Sequence, residues 1–353
     1  MSFWVSVRGR RVVRVLAAVG VSSTFLRYYL PNTHYLHTTK EITQLYRKGD
    51  PVPVPENVTH LIQQVQLDLH LQTHNQNKPQ HDPQTHNTPT QDDVNPQIHN
   101  QNNINNPQTH NHNLRRITAY TIYGFDLFHA GSMTNAFWEE KEKEKTKAII
   151  GIPQSFAFTS EHDFDTRGIL INQQQVPWST PAGQSLKQSL VLSPEAKKFA
   201  ICREMMSVNT NEPFILGALA ATNVSMMYLL ASGVNRTQNF YARPRSLRLT
   251  WYALVGAFWA AMWVLIKDST TLNHENRADQ HAASVSPSYT QGGLEFYEKI
   301  LQRNIALREL MGKEGEKMYT AFGNEQVLIR TRHQPYTLRR DYMKNLVESN
   351  SKN

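Results

Sequence analysis

A chain of 353 residues with one cysteine and a net charge of +8 is long enough for one to three domains. The lone Cys202 excludes an intrachain disulfide framework. The basic excess gathers beside apolar segments, with no zinc-finger spacing and no RNA-binding aromatic motif, so nucleic acid is excluded as a partner.

Residues 1–30 place Arg8, Arg10, Arg11 and Arg14 in a segment with no acid before Glu41. An arginine-rich, serine-containing, acid-free start fits a mitochondrial targeting segment better than a secretory signal. The stretch from Val15 to Leu30 is barely long enough to span a bilayer, with Arg14 reaching back to the interface. We expect a retained anchor with a first span; a cleaved presequence is the rival.

Residues 31–72 read as a helical segment. TTKEITQLYRK (38–48) predicts a short helix ended by Gly49, and DPVPVP an extended connector. ENVTHLIQQVQLDLHL (56–71) has Val58, Leu61, Ile62, Val65 and Leu69 at helical spacing. Residues 73–113 are polar, with PQTHN at 83–87 and again at 107–111. They have too few apolar residues to offset ordering entropy and read as a disordered insert. Their histidines, His74, His81, His86, His99, His110 and His112, belong to that expansion rather than to a metal site with fixed geometry.

Residues 114–212 read as a soluble α+β region. EEKEKEKTK (139–147) is a solvated charge run, and EHDFD (161–165) an exposed acidic turn. AIIGIP (148–153) and GILINQQQVPW (168–178) predict a small strand pair. Ser193-Pro194 predicts an N-cap followed by proline at the first helical position, opening a helix that carries Cys202 as a small buried residue.

Two runs without charge, 213–233 and 249–266, predict transmembrane helices in a hairpin. Between them lies an arginine-rich loop, 234–248. Arg236, Arg243, Arg245 and Arg248 should hold that loop on the side of insertion. Gly217 with Ala221 and Gly256 with Ala260 are small-xxx-small pairs that predict close packing of the two spans.

Residues 267–353 read as a C-terminal soluble helical region. GGLEFYEKILQRNIALRELMG (292–312) is amphipathic, with Phe296, Tyr297, Ile300, Leu301 and Leu307 on its apolar half. That face packs inside its own domain or on a partner. Glu295 and Lys299 predict an i,i+4 pair.

The expected fold is therefore a mainly α membrane protein: a helical hairpin of two spans, an N-terminal anchor, and small soluble α(+β) regions. HExxH, CxxC, GxSxG, Walker A and GxGxxG patterns do not occur. A non-enzymatic role with no cofactor is expected. The alternative is a small-molecule carrier or channel subunit, which spans without ionisable groups disfavour.

GIPQSF (151–156), PWSTPAG (177–183), SPEAKKFAICRE (193–204), GGLEFYEKILQRNIALRELMGKEGEKMYT (292–320) and PYTLRRD (335–341) carry a resemblance. With the hairpin lying between these blocks, the chain resembles the transmembrane protein 177 family of the mitochondrial inner membrane. The resemblance implies a multi-pass assembly factor for cytochrome c oxidase subunit II. Its implied partners are that subunit, the subunit's dedicated assembly chaperone and copper metallochaperones, beside membrane lipid. The charge pattern then expects both arginine clusters in the matrix and the soluble regions in the intermembrane space.

Overall fold

The computed structural model describes residues 7–76, 117–131, 148–163, 169–327 and 330–351. The polar insert beyond Gln76 and the charge run at 139–147 lie outside the described residues. Helix α1 spans Val7–Tyr29 and, after a 3-10 turn at Leu30–Asn32, α2 spans Leu36–Thr43. A hairpin of β1 (Tyr46–Arg47) and β2 (Asp50–Pro51) leads into α3 (Glu56–Gln76). Strands β3 (Ile117–Ile122), β4 (Phe128–Gly131) and β5 (Ala148–Pro153) follow, then the hairpin β6 (Leu170–Ile171) and β7 (Gln174–Gln175). The remaining helices are α4 (Pro181–Ser189), α5 (Pro194–Val208), α6 (Glu212–Thr237), α7 (Arg245–Ala283), α8 (Pro287–Met311), α9 (Lys313–Met318) and α10 (Tyr336–Asn350).

The chain is a mainly α membrane protein. Helices α6 and α7 are long and apolar enough to cross a bilayer. Only 17% and 6% of their apolar windows are buried, unlike the mostly buried core helices of a soluble protein. The arginine loop is shorter than the sequence suggested. Helix α6 continues through Thr237 and α7 begins at Arg245, so Arg236 ends one helix while Arg245 and Arg248 begin the next. Ile266 is not a boundary either. Helix α7 runs unbroken for 39 residues, roughly 58 Å at 1.5 Å per residue. Residues 267–283 hold no glycine or proline, so nothing stops the helix where the apolar run ends.

Helix α1 packs along α6 in the opposite direction. The ring of Phe25, near the end of α1, meets Phe214 at the start of α6 edge-on at 5.7 Å. Tyr28 meets Trp263 of α7 at 5.6 Å. The three helices thus form one bundle.

The rest folds into a domain at the far end of the bundle from the arginines. Its core joins α3, α5, the end of α7, α8 and α10 around Phe199, Ile201, Met205, Tyr297 and Met343, each at most 2% exposed. Ser193 caps α5 as expected, accepting from the Ala196 N–H at 3.1 Å. Helix α8 starts five residues earlier than the glycine pair suggested, so Gly292 and Gly293 sit inside it. A Cβ at Gly292 would lie 2.3 Å from the Glu195 carbonyl oxygen, and one at Gly293 would lie 2.8 Å from the Phe199 ring. The glycines are there because α8 rests on the backbone of α5. Glu295 does not pair with Lys299. It accepts from the Ser193 N–H and hydroxyl, while Lys299 donates to the Gln188 carbonyl.

The strands depart from the sequence reading. β5 is the centre of a three-stranded sheet, parallel to β3 and antiparallel to β4. Its six buried residues read as a continuous apolar run because both faces are covered. The segment after 168 does not pair with it; β6 and β7 form their own hairpin. Helix α2 stops at Thr43, well before Lys48. The Thr43 hydroxyl bonds the Tyr120 hydroxyl, and the Leu45 N–H donates to the Thr121 carbonyl. Lys48 (φ 56°) and Gly49 (φ 93°) then make the two-residue turn between β1 and β2. Two positive φ angles mark a type I′ hairpin, whose twist matches that of its strands. Asn172 and Gln173 do the same between β6 and β7.

Candidate functional site

The arginine end comes first. Arg14 on α1 and Arg236 on α6 line one cavity with Tyr241 and Tyr252. The antiparallel packing of α1 on α6 therefore brings the N-terminal cluster and the hairpin cluster to the same end of the bundle. Arg8, Arg11, Arg14, Arg236, Arg243 and Arg245 are exposed and Arg248 half-buried. Arg10 lies in α1, outside the residues whose side chains are described. Two of the arginines rest on aromatic faces: Arg243 over Phe240 at 5.8 Å and Arg248 over Tyr241 at 5.5 Å. Both contacts are cation–π pairs at the mouth of the hairpin.

The small residues of the spans do not meet as the sequence suggested. Gly217 faces α1: a Cβ there would touch the Phe25 ring at 3.0 Å. Gly256 has nothing within 4 Å of such a Cβ, and Ala260 is exposed while Ala221 is half-buried. The α6–α7 contact is made by polar groups instead. The Asn223 amide donates to the Trp259 carbonyl at 3.3 Å, and the Asn235 amide to the Tyr252 hydroxyl. Without a hydrophobic drive between helices, such hydrogen bonds hold a hairpin together.

At the other end, a buried ionic network locks the domain to the second span. Asp279 on α7 accepts from Arg339 of α10 in a two-point pair at 2.6 and 2.8 Å, and from the Tyr297 hydroxyl of α8 at 2.6 Å. The Arg339 guanidinium lies 4.8 Å from the centre of the Tyr297 ring. Arg203 of α5 reaches Asp279 at 3.5 Å and Glu204 at 3.3 Å. Glu204 in turn binds His129 of β4. Glu275, one turn before Asp279, holds His333 and reaches Arg339 at 3.8 Å. Glu204, Asp279 and Arg339 are each no more than 3% exposed. Buried charges persist only when paired, and here each one is.

Burial disfavours the Glu204 carboxylate, but Arg203 and His129 outweigh it and hold its pKa down to about 2. Burial likewise disfavours the His129 imidazolium, yet the bond and charge of Glu204 raise its pKa. Burial, with the charge and hydrogen bond of Asp279, pushes the Tyr297 hydroxyl well above its ordinary range against Arg339 and Arg203, so it stays a donor to Asp279. Cys202 beside this network is fully buried and its thiol is pushed up to about 12, which keeps it protonated and inert. The arrangement is a clamp: it joins α5, α7 and α10 through complementary charges and α8 through the Tyr297 hydroxyl. Among the described residues no group of three His, Cys, Asp or Glu side chains is placed to hold a metal ion.

Phe296, Tyr297, Ile300, Leu301 and Leu307 of α8 are all buried within the chain's own domain. Asp163 of the expected acidic turn is engaged locally, accepting from the Thr159 and Ser160 backbone N–H groups at 2.6 and 2.8 Å.

A family model described as Transmembrane protein 177 matches residues 154–352, more than half of the chain. That stretch holds the hairpin, α8 and the whole clamp apart from His129. A Transmembrane protein 177 of Danio rerio is 30% identical over 346 residues, covering 96% of this chain and 94% of that protein. The chain belongs to the transmembrane protein 177 family. The relatives of Homo sapiens and Xenopus laevis are each 37% identical, over 55% and 56% of this chain. Those two alignments span 63% and 65% of the relatives' lengths. No solved structure gives a significant match.

Sequence reasoning found the arginine clusters because charge beside a charge-free run is a local signal. It missed the clamp. Arg203, Asp279, Tyr297 and Arg339 come from four helices, and no spacing rule links them. The one available hint was an Arg-Glu pair inside the apolar run of α5, where buried charge demands a partner.

Proposed function

We propose that the chain is a non-enzymatic assembly and stabilising factor for cytochrome c oxidase subunit II, held in the mitochondrial inner membrane. It acts with that subunit's dedicated chaperone and with copper metallochaperones. Membership of the transmembrane protein 177 family carries this reading, since that is the role the resemblance implies. The geometry supports it in two ways. Both arginine clusters lie at one end of the bundle, which suits a matrix-facing end under the positive-inside rule. The folded domain lies at the opposite end, which suits the intermembrane-space side, and the clamp ties it to the second span.

In this topology α1 is a third crossing. Between Arg14 and Arg27 its apolar stretch is 12 residues, roughly 18 Å at 1.5 Å per residue, so it crosses a hydrocarbon core of about 30 Å with both arginines reaching out to the interfaces. Its outer face shows Val12, Val15, Leu16 and Val19.

The test is affinity purification of the tagged chain from detergent-solubilised mitochondria, scored for newly made subunit II and its chaperone. Both should co-purify, and depletion of the chain should lower subunit II while other inner-membrane proteins stay level. An eluate without subunit II, together with an unchanged subunit II level on depletion, overturns the proposal.

A further inference from the structure

At the arginine end a cavity of about 360 Å³ opens between α1, the end of α6 and the start of α7. Its wall carries Arg14, Arg236, Tyr228, Asn235, Asn239 and Tyr252. Residues 1–40 and 213–267 contain no acid, so none of the three helices brings a carboxylate to this end. Two guanidiniums at one concavity thus face no counter-charge from these helices. Asn235 is only 1% exposed; its amide donates to the Tyr252 hydroxyl, and its Oδ1 has no partner. The wall therefore keeps an unused acceptor beside the charges, open to a hydroxyl donor of a bound group, and buried polar atoms without partners are uncommon.

The surroundings are apolar. Val12, Val15 and Leu16 on α1 and Leu229 and Leu230 on α6, which flank the lining residues Val13, Arg14, Tyr228 and Ala231 in sequence, are exposed. A concave site with uncompensated arginines, polar donors and an adjoining apolar strip matches one kind of molecule. We propose that this cavity binds the phosphodiester headgroup of an anionic phospholipid. Arg14 and Arg236 take the phosphate oxygens through charge-assisted hydrogen bonds. Tyr228 and Tyr252 face the rest of the headgroup, and the acyl chains lie along the exposed side chains of α1 and α6. A free phosphate shares the headgroup chemistry but leaves the apolar strip unused. Basic pockets between transmembrane helices bind lipid headgroups in this manner.

The full-length protein is reconstituted into nanodiscs of phosphatidylcholine doped with phosphatidylglycerol. Lipid retained after release from the disc is read by native mass spectrometry. The unsubstituted protein should retain phosphatidylglycerol in preference to phosphatidylcholine. Arg14→Gln with Arg236→Gln should lower that retention about tenfold or more, from the loss of two charge-assisted hydrogen-bonding partners of the phosphate. Arg243→Gln with Arg245→Gln removes the same charge outside the cavity and should retain most of the lipid. Equal loss in both double variants would reduce the effect to a general field and overturn the site. No preference between the two lipids in the unsubstituted protein overturns it too, whether or not the variants fold. Inorganic phosphate held in phosphatidylcholine-only discs, with no such preference, would assign the cavity to a free anion.

Discussion

Arg339 has Asp279 on one side, Glu275 on another and the Tyr297 ring beneath it. Such a charge is stable only while its partners stay. Asp279→Asn keeps the shape but leaves Arg203 and Arg339 facing each other with less negative charge between them. Breaking a buried pair on one side costs about 3–5 kcal/mol. The variant should therefore unfold at clearly lower denaturant or temperature when purified in detergent; an unchanged midpoint would contradict the clamp. The two histidines of the network predict a pH dependence. The His333 pKa is raised by its bond to Glu275; that of His129 is raised by Glu204 in spite of burial. A raised histidine favours the fold fully below its ordinary 6.5, and the gain fades as pH rises through the folded value. Glu204, lowered from 4.5 to about 2, contributes above 4.5 and loses that contribution only as pH falls toward 2. Both contributions are intact between roughly pH 4.5 and 6.5. Raising the pH from about 6 to about 8 should lower the melting temperature by about 2–4 °C. His129→Gln with His333→Gln should melt lower at the acid end and lose the slope. A double variant that keeps the slope would assign it elsewhere.

Among the elements, what a single stretch dictates was legible and what a neighbour dictates was not. Lipid demands long charge-free helices, so α6 and α7 stood out from 213–233 and 249–266. Ser193 announced α5, because a cap needs only the three residues after it. The apolar run of β5 marked a strand, but on sequence it pairs with 168–178, and its partners β3 and β4 were not found, since ITAYTI follows closely on the polar tract. Nor could the sequence show which small residue meets which helix. Both spans carry a small-xxx-small pair, yet the neighbour of Gly217 is Phe25 of α1, and Gly256 faces open space. The difference can be measured. Gly217→Leu must displace the Phe25 ring and backbone, and should loosen α1 from α6 at a cost of about 1–3 kcal/mol. Gly256→Leu adds an apolar side chain on a face without neighbours and should be near neutral. Engineered disulfide cross-linking between α1 and α6 reads the outcome: it should fall in the first variant and hold in the second. Equal behaviour of the two would mean that α1 does not pack there.

At the scale of the whole molecule, one constraint links the bundle to the domain. Helix α7 starts among the arginines and ends inside the folded domain with no break. Its first part is the second span and its last part carries Glu275 and Asp279 of the clamp. If the arginine end is held in the matrix, the domain must lie across the membrane, because a rigid helix cannot turn back. The antiparallel α1 runs between the same two ends from the other terminus: Arg8, Arg11 and Arg14 share the loop's side, while Arg27 in its last turn and residues from Leu30 onward share the domain's side. Two observations follow from this topology. The mature protein should keep α1, since cleavage would uncover Gly217 and the face of α6 that Phe25 covers; N-terminal sequencing of the protein purified from its membrane checks it. In mitoplasts, added protease should remove a tag at the C-terminus and spare a tag placed in the 238–244 connection. Replacing Arg236, Arg243, Arg245 and Arg248 together by glutamine should weaken that preference, because each arginine costs about 2.5–3.5 kcal/mol to move to the bilayer centre. A C-terminal tag that stays protected until the inner membrane is lysed would reverse the orientation.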